Sequence, residues 1–278
     1  MGSVVGVFAT SHSPGITGFP ERAEDAQLEA VNGAFAEVRE RIDALEPDAI
    51  VGVSVEHFTN FFMDNLPVFS IATADEFDAP VTDEMAGFLR VERHRHAGHD
   101  ELAQAIRHHA LGEEFDPALI GGDFAWDENF CVPLKHLDPD NRYRVVPIIV
   151  NAVHPPMPTL NRCYQFGRML RRAIEAQSAA ERVVVLGTGG LSHWVGMPEA
   201  GNINQEFDRD FLEWLGDGSI DRILALTDEQ IEEAGNGAHE IRSWLVAAGA
   251  AEGAPFDVLT YEPVPAWLTG TAIAAART

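Results

Sequence analysis

The sequence predicts a single α/β domain in which a central, largely buried sheet is flanked by helices. Short apolar segments of strand length alternate along the chain with longer segments whose apolar residues recur every three or four positions. The predicted strands are almost wholly apolar, which is typical of strands covered on both faces. No repeat or convincing linker interrupts the 278 residues, so we expect residues 1–278 to form one domain.

Two predicted strands in the first part of the chain end close to a histidine. Residues 4–9 form a short apolar strand, and the Ser-, Pro- and Gly-containing loop that follows carries His12. Residues 23–45 have the apolar spacing of a helix, and the apolar strand 50–55 is followed by His57.

The second part of the chain continues the alternation. Further segments predict strand 145–150, helix 162–177, strand 183–186, helix 238–250 and strand 256–261. Pro147 lacks a backbone N–H and therefore indicates a bulge or a sheet edge. Strand 183–186 is followed by a glycine-rich loop that ends at His193.

The segment 73–114 is polar and histidine-rich, and we expect it to form loops and helices outside the sheet. His94, His96 and His99 lie beside arginines, which would repel a bound cation. We therefore expect these three histidines to be solvated at the surface.

The charge of the chain argues against several kinds of partner. The formal net charge is −25, and Lys135 is the only lysine. Such a surface repels phosphate backbones and anionic lipid, so neither a nucleic acid nor a membrane is expected as a partner. No apolar run is long enough to span a bilayer and the N-terminus does not resemble a signal peptide, so we expect a cytoplasmic protein.

Three histidines occupy equivalent positions, because His12, His57 and His193 each follow a predicted strand. Ligands of α/β sheets bind beyond the carboxyl ends of the strands, so these imidazoles are expected to converge on one crevice. Cys131 and Cys163 are too few for a zinc–thiolate site, and a metal would have to be held by histidine and carboxylate. Two imidazoles and one carboxylate form the facial triad of non-haem Fe(II) oxygenases, but the residues alone also fit a zinc hydrolase.

Five short motifs in the sequence resemble one family when they are taken together and in order. They are residues 11–14 (SHSP), 56–62 (EHFTNFF), 187–193 (GTGGLSH), 238–244 (AHEIRSW) and 261–267 (YEPVPAW). Through them the chain resembles the class III extradiol dioxygenases of the protocatechuate 4,5-dioxygenase β-subunit superfamily. Within that superfamily it looks most similar to the 2,3-dihydroxyphenylpropionate 1,2-dioxygenases.

The resemblance implies a reaction and a set of site residues. It makes His12, His57 and Glu240 the ligands of one Fe(II) ion, and His193 the acid/base that helps to deprotonate a bound diol. The implied substrates are a small aromatic diol and O₂, which together undergo extradiol ring cleavage. It also favours a homo-oligomer.

The chain departs from the family pattern at one position. Where these enzymes usually have Asp-His-Gly, this chain has Asp-Glu-Asn at residues 127–129, so Glu128 replaces a histidine that is thought to donate a proton. Burial that raises the pKa of Glu128 would let it do the same work. Alternatively, His154 reaches the substrate from another loop, or the substrate needs no such acid.

Other functions stay open at this point. Loss of that histidine is compatible with a catalytically degenerate binding or scaffold protein on the same fold. The triad residues are also compatible with a zinc-dependent hydrolase. Among dioxygenases, cleavage of an aminophenol or a dihydroxypyridine is a further variant.

Overall fold

A mixed eight-stranded sheet runs through the centre of the molecule, and a separate two-stranded sheet lies beside it. The computed structural model describes residues 1–277. Its strands are β1 (Ser3–Thr10), β2 (Ala49–Val55), β3 (Phe69–Ala72), β4 (Glu76–Ala79), β5 (His94–Ala97), β6 (Ala118–Ile120), β7 (Arg144–Val150), β8 (Arg182–Thr188), β9 (Phe256–Val264) and β10 (Thr269–Ala276).

Helices cover both faces of this sheet, as predicted for an α/β fold. They are α1 (Gly15–Gly18), α2 (Asp25–Leu45), α3 (Asp83–Leu89), α4 (Asp100–Gly112), α5 (Glu128–Leu137), α6 (Leu160–Ala176), α7 (Gln205–Asp217), α8 (Ile220–Leu224), α9 (Asp228–Glu232) and α10 (Ile241–Ala250). Short 3₁₀ turns are formed by Pro20–Arg22, Asn236–Glu240 and Pro265–Trp267. No helix among residues 1–277 has the length and apolar character needed to cross a membrane.

The strand order explains why the predicted histidines meet. Across the large sheet the order is β6-β3-β7-β2-β8-β1-β10-β9, and the four neighbours β7, β2, β8 and β1 are mutually parallel. Parallel strands place their carboxyl ends at one edge of the sheet. The segments after β1, β2, β7 and β8, which carry His12, His57, His154 and His193, therefore start from the same edge.

Helix α10 is the most deeply buried helix of the described chain, since all ten of its residues are buried. It packs against α6 at very short range: a Cβ on Gly167 would lie 2.0 Å from the Val246 carbonyl oxygen. A Cβ on Gly249 would lie 2.1 Å from the Tyr164 carbonyl oxygen. This close packing fixes the position of α10 against α6, and α10 directly follows Glu240.

The expectation for Pro147 is wrong. Strand β7 lies inside the sheet between β3 and β2, and its register with β2 shows no bulge at Pro147. Pairing with β3 covers residues 148–150 of β7 and stops before Pro147. A missing N–H at this point removes no hydrogen bond between β7 and β3.

The expectation of solvated histidines is wrong for His96 and His99, whereas His94 is only partly buried. His96 is fully buried and His99 is 6% exposed, because β5 pairs with β4 and packs against the large sheet. The His96 ring lies 4.7 Å from the Trp126 ring, and its Nε2 is 3.1 Å from the Tyr143 carbonyl oxygen. Segment 73–114 therefore contributes a buried layer as well as surface helices.

Burial of His96 predicts that the protein loses stability in mild acid. Burial, together with the neighbouring His94, lowers the pKa of His96 to about 4. In the unfolded chain the pKa of a histidine is about 6.5. The unfolded state therefore binds more protons between these values. We expect the free energy of unfolding to fall by about 2 kcal/mol between pH 7 and pH 5 from this group alone.

Urea unfolding measured across this pH range checks the expectation. His96→Gln should flatten the pH dependence of the unfolding free energy, whatever its effect on absolute stability. His108→Gln, which changes an exposed histidine of α4, should leave the dependence unchanged. Equal slopes for the wild type and His96→Gln would contradict the assignment.

Candidate active site

His12 is held in a single ring orientation by a buried chain of hydroxyl groups. Its Nδ1 lies 2.8 Å from Thr188 Oγ1, and that hydroxyl donates to the Asn129 carbonyl oxygen at 2.7 Å. Since the Thr188 proton is used in this way, its oxygen accepts from His12, and the proton of the ring is on Nδ1. Ser54 Oγ lies 2.9 Å from Thr188 Oγ1. The lone pair on His12 Nε2 is therefore free for another partner.

His57 is oriented by a buried carboxylate. Its Nδ1 lies 3.2 Å from Asp127 Oδ1, and Thr59 Oγ1 and the Asn129 backbone N–H also donate to Asp127. Burial by itself would lower the pKa of His57, but Asp127 and Glu128 raise it well above its usual value. Asp127 thus holds the Nδ1 atom of the His57 ring, and the Nε2 atom is left for another partner.

Glu240 brings these two imidazoles together with a third. It ends the 3₁₀ turn before α10, and its Oε2 accepts a hydrogen bond from the Gly190 backbone N–H. The same Oε2 lies 3.2 Å from His12 Nε2. Its Oε1 lies 3.6 Å from His57 Nε2 and 3.3 Å from His193 Nε2.

The charge of Glu240 is stabilised by the surrounding rings. Burial favours the neutral acid, yet His193 and His12 lower the pKa of Glu240 well below its usual value. In turn, Glu240 outweighs the effect of burial on His193 and raises the pKa of that imidazole. The cluster therefore contains a carboxylate rather than a carboxylic acid, which is the form that binds metal ions.

His12, His57 and Glu240 fit a metal ion. One ligand atom from each lies within 4.8 Å of the others, and the buried His12 Nε2 has no hydrogen-bond partner. The rings of His12 and His57 are almost perpendicular, with centroids 5.0 Å apart. The His57 side chain is 21% exposed, so the cluster is accessible from solvent. Two imidazoles that release any proton on Nε2, together with one carboxylate, form a donor set for a divalent transition metal.

A second possible donor group shares His57. Its other members are Asp127 and Glu128. Asp127 already accepts hydrogen bonds from two other donors besides His57, which favours an orienting role. The first group is therefore the better metal site.

His193 lies in a narrow slot formed by two glycines. A Cβ on Gly237 would lie 2.1 Å from His193 Nε2, and a Cβ on Gly190 would lie 2.7 Å from its Cε1. Its Nδ1–H donates to the Leu191 carbonyl oxygen at 2.7 Å. The slot leaves Nε2 directed at Glu240, beside the candidate metal ligands.

The two residues considered in place of the missing histidine have different surroundings. Glu128 lies at the start of α5, with Oε1 3.6 Å from His57 Nδ1. Burial raises the pKa of Glu128, and the charge of Asp127 contributes in the same direction. His154 is exposed, and its loop is held through its backbone by the Asn151 side chain. The structure thus brings Glu128 to the cluster and shows no contact of the His154 side chain with it.

Several residues of this site have no distinguishing feature in the sequence. Asp127, Thr188 and Ser54 orient the two histidines, yet each belongs to a common residue type at the end of a strand or the start of a helix. The one usable signal is position: Thr188 ends β8, and Ser54 lies in β2 just before its end. Polar residues at the ends of otherwise apolar strands mark the same edge as the histidines.

Comparisons with known proteins agree with this geometry. Residues 6–272 match the family described as the catalytic LigB subunit of aromatic ring-opening dioxygenase. A 2,3-dihydroxyphenylpropionate/2,3-dihydroxicinnamic acid 1,2-dioxygenase of Cupriavidus necator is 29% identical over 311 aligned positions, covering 94% of this chain and 95% of the relative. The enzyme of the same name from Paraburkholderia phymatum is 30% identical over 316 positions, covering 94% and 93%.

A solved structure shares the fold. An uncharacterized protein of Escherichia coli K12 superposes with a TM-score of 0.58 at 15% identity, covering 89% of this chain and 92% of its own. At that identity the likeness concerns the fold alone. The family match spans all three candidate ligands and His193. The chain therefore belongs to the family of the catalytic LigB subunit of aromatic ring-opening dioxygenases, and it is a ring-cleavage dioxygenase.

Proposed function

We propose that the enzyme binds one Fe(II) ion through His12, His57 and Glu240 and uses O₂ for extradiol cleavage of a catechol-type ring. The observation that carries this proposal is the convergence of three donors from distant parts of the chain around the unpartnered His12 Nε2. Two imidazoles and one carboxylate are the ligands of non-haem Fe(II) oxygenases and leave coordination positions free. A bound ferrous ion would supply Lewis acidity and a path for electrons from the diol to O₂.

Four side chains orient the metal ligands or take part in proton transfer. Asp127 and Thr188 hold the two histidine ligands in the tautomer whose Nε2 is available. His193 accepts a proton from the substrate hydroxyl at Nε2, since its Nδ1–H is held by the Leu191 carbonyl oxygen. Glu240 beside it stabilises the imidazolium that this transfer forms.

We further propose that Glu128 supplies the proton that a histidine donates in the related enzymes. Its pKa is raised by burial, which is the change needed for a carboxyl group to act as an acid near neutral pH. Its position beside His57 places it at the edge of the candidate metal site.

Substitution of Glu128 tests this role. Glu128→Gln keeps the shape but cannot exchange a proton, and we expect kcat to fall about 100-fold while bound iron stays unchanged. Glu128→His, which restores the residue type of the relatives, should recover much of the loss. Full activity in Glu128→Gln would exclude Glu128 as the acid.

The names of the relatives support a proposal for the substrate class. These relatives are named for 2,3-dihydroxyphenylpropionate and 2,3-dihydroxicinnamic acid, so we propose a catechol that carries a side chain on the ring. A cavity of about 520 Å³ is lined in part by Pro155, Met157 and Trp194, which lie close in the sequence to His154 and His193. The acidic side chains of Asp228, Glu229, Glu232 and Glu233 also line it. We propose that His154 contacts the side chain of the substrate from this loop. An aminophenol or a dihydroxypyridine is the alternative substrate class.

Oxygen consumption tests the reaction. Iron-reconstituted protein given a panel of 3-substituted catechols should consume one O₂ per ring and form a yellow ring-opened product. Turnover that proceeds without O₂ would instead favour a zinc-dependent hydrolase. Failure of every catechol together with turnover of an aminophenol would change the substrate class but not the reaction type.

The cytoplasmic location and the homo-oligomer expected from the sequence stay predictions. Sedimentation at micromolar concentration measures the second of these.

A further inference from the structure

A buried carboxylate lies behind the candidate acid/base, outside the metal cluster. Asp208 of α7 is fully buried and accepts three hydrogen bonds, each 2.8 Å long. Two of them come from Ser192, through its backbone N–H and its hydroxyl. The third comes from the hydroxyl of Tyr261 on β9.

A glycine in the sheet leaves room for this carboxylate. A Cβ at Gly270 of β10 would lie 2.1 Å from Asp208 Oδ2. The Gly270 backbone N–H also donates to the Ser192 carbonyl oxygen at 3.0 Å, and its carbonyl oxygen accepts from Leu191. Ser192 is thus held on one side by α7 and on the other side by β10.

These contacts fix the segment that orients the candidate acid/base. His193 directly follows Ser192, and its Nδ1–H donates to the carbonyl oxygen of Leu191, the residue before Ser192. Any shift of Ser192 would therefore move both the histidine backbone and the acceptor of its ring proton. Because a displacement of about 1 Å in a catalytic group costs orders of magnitude in rate, this anchor matters for catalysis.

We propose that Asp208 is the positioning residue for His193, fixing its ring through Ser192 without touching the substrate or the metal. A buried, fully hydrogen-bonded carboxylate is costly to place in a protein interior, and a purely apolar packing contact between α7 and the sheet would not need it. This inference rests on the acid/base role proposed for His193.

A double-mutant cycle separates positioning from general stability. We expect Asp208→Asn to lower kcat at least tenfold in the wild type, with KM within threefold and bound iron unchanged. In a His193→Ala background the same substitution should lower single-turnover rates less than twofold, because the group it positions is gone. Asp210→Asn, an exposed change on the same helix, is the matched control and should have no effect.

A spectroscopic measurement on metal-free protein is independent of activity. The ¹⁵N-labelled Nδ1–H of His193, assigned by its loss in His193→Ala, should shift or broaden in Asp208→Asn and stay unchanged in Asp210→Asn. If Asp208→Asn does not fold, Ser192→Ala, which removes one donor to Asp208, takes its place in both measurements.

The outcomes are distinct. Equal losses in both backgrounds, or an unchanged Nδ1–H signal, would overturn the positioning role of Asp208. Full activity of His193→Ala would instead overturn the function proposed for His193 itself.

Discussion

Replacing Glu240 by alanine is expected to abolish tight iron binding and reduce ring cleavage to background. Glu240 supplies the only negative charge among the three proposed ligands, and its carboxylate lies 3.2 Å from His12 Nε2 and 3.6 Å from His57 Nε2. Loss of an orienting residue around a metal ligand costs about 10–100-fold in affinity, so loss of a ligand is expected to cost at least about 10³-fold. Anaerobic titration with Fe(II) measures this directly.

The control for Glu240→Ala lies in the second donor group. Glu128→Ala removes a carboxylate near the other nitrogen of His57, and we expect it to retain iron. Should Glu128→Ala lose iron while Glu240→Ala keeps it, the ion is bound by the group that contains Asp127.

Substitution of His193 by alanine is the second change with a large expected effect. We expect kcat to fall by about 10²–10⁴-fold, which is the usual contribution of a general acid/base, while iron stays bound. Rapid-mixing measurements of product formation with iron-loaded protein give kcat, and metal analysis gives occupancy. Loss of iron in His193→Ala would show that this residue is a ligand instead.

Substitution of a neighbouring glycine is also expected to displace the ring of His193. The methyl group added by Gly237→Ala would lie 2.1 Å from His193 Nε2. This distance is too short for two non-bonded atoms, so the substitution must displace the ring. We expect it to reproduce much of the loss seen in His193→Ala. Gly33→Ala, whose added Cβ meets nothing within 4 Å in α2, is the matched control and should leave kcat unchanged. Full activity of Gly237→Ala would mean that the ring position is unimportant.

Much of the sheet was predictable because its central strands are buried on both faces. The apolar runs at β1, β2, β7 and β8 stand out from the polar segments around them. By contrast, β10 was missed because alanines and a glycine make up five of its eight residues, so its three β-branched residues are too sparse to identify a strand. The short β4 and β5 were missed because their polar composition resembles that of a loop.

The site was predictable only in part, for a related reason. His12, His57 and His193 could be selected because each follows a strand, and strand order then fixes where they meet. Glu240 could be selected only through the family resemblance, since the chain has 44 acidic residues. Asp208 could not be selected at all, because its importance depends on contacts with residues 16 and 53 positions away.

The position of the bound metal tests the central claim most directly. Crystals of iron-loaded protein, measured at wavelengths on either side of the iron absorption edge, should show one anomalous peak shared by His12 Nε2, His57 Nε2 and the Glu240 carboxylate. A peak beside Asp127 and Glu128, or iron that binds without any of these side chains, would contradict it.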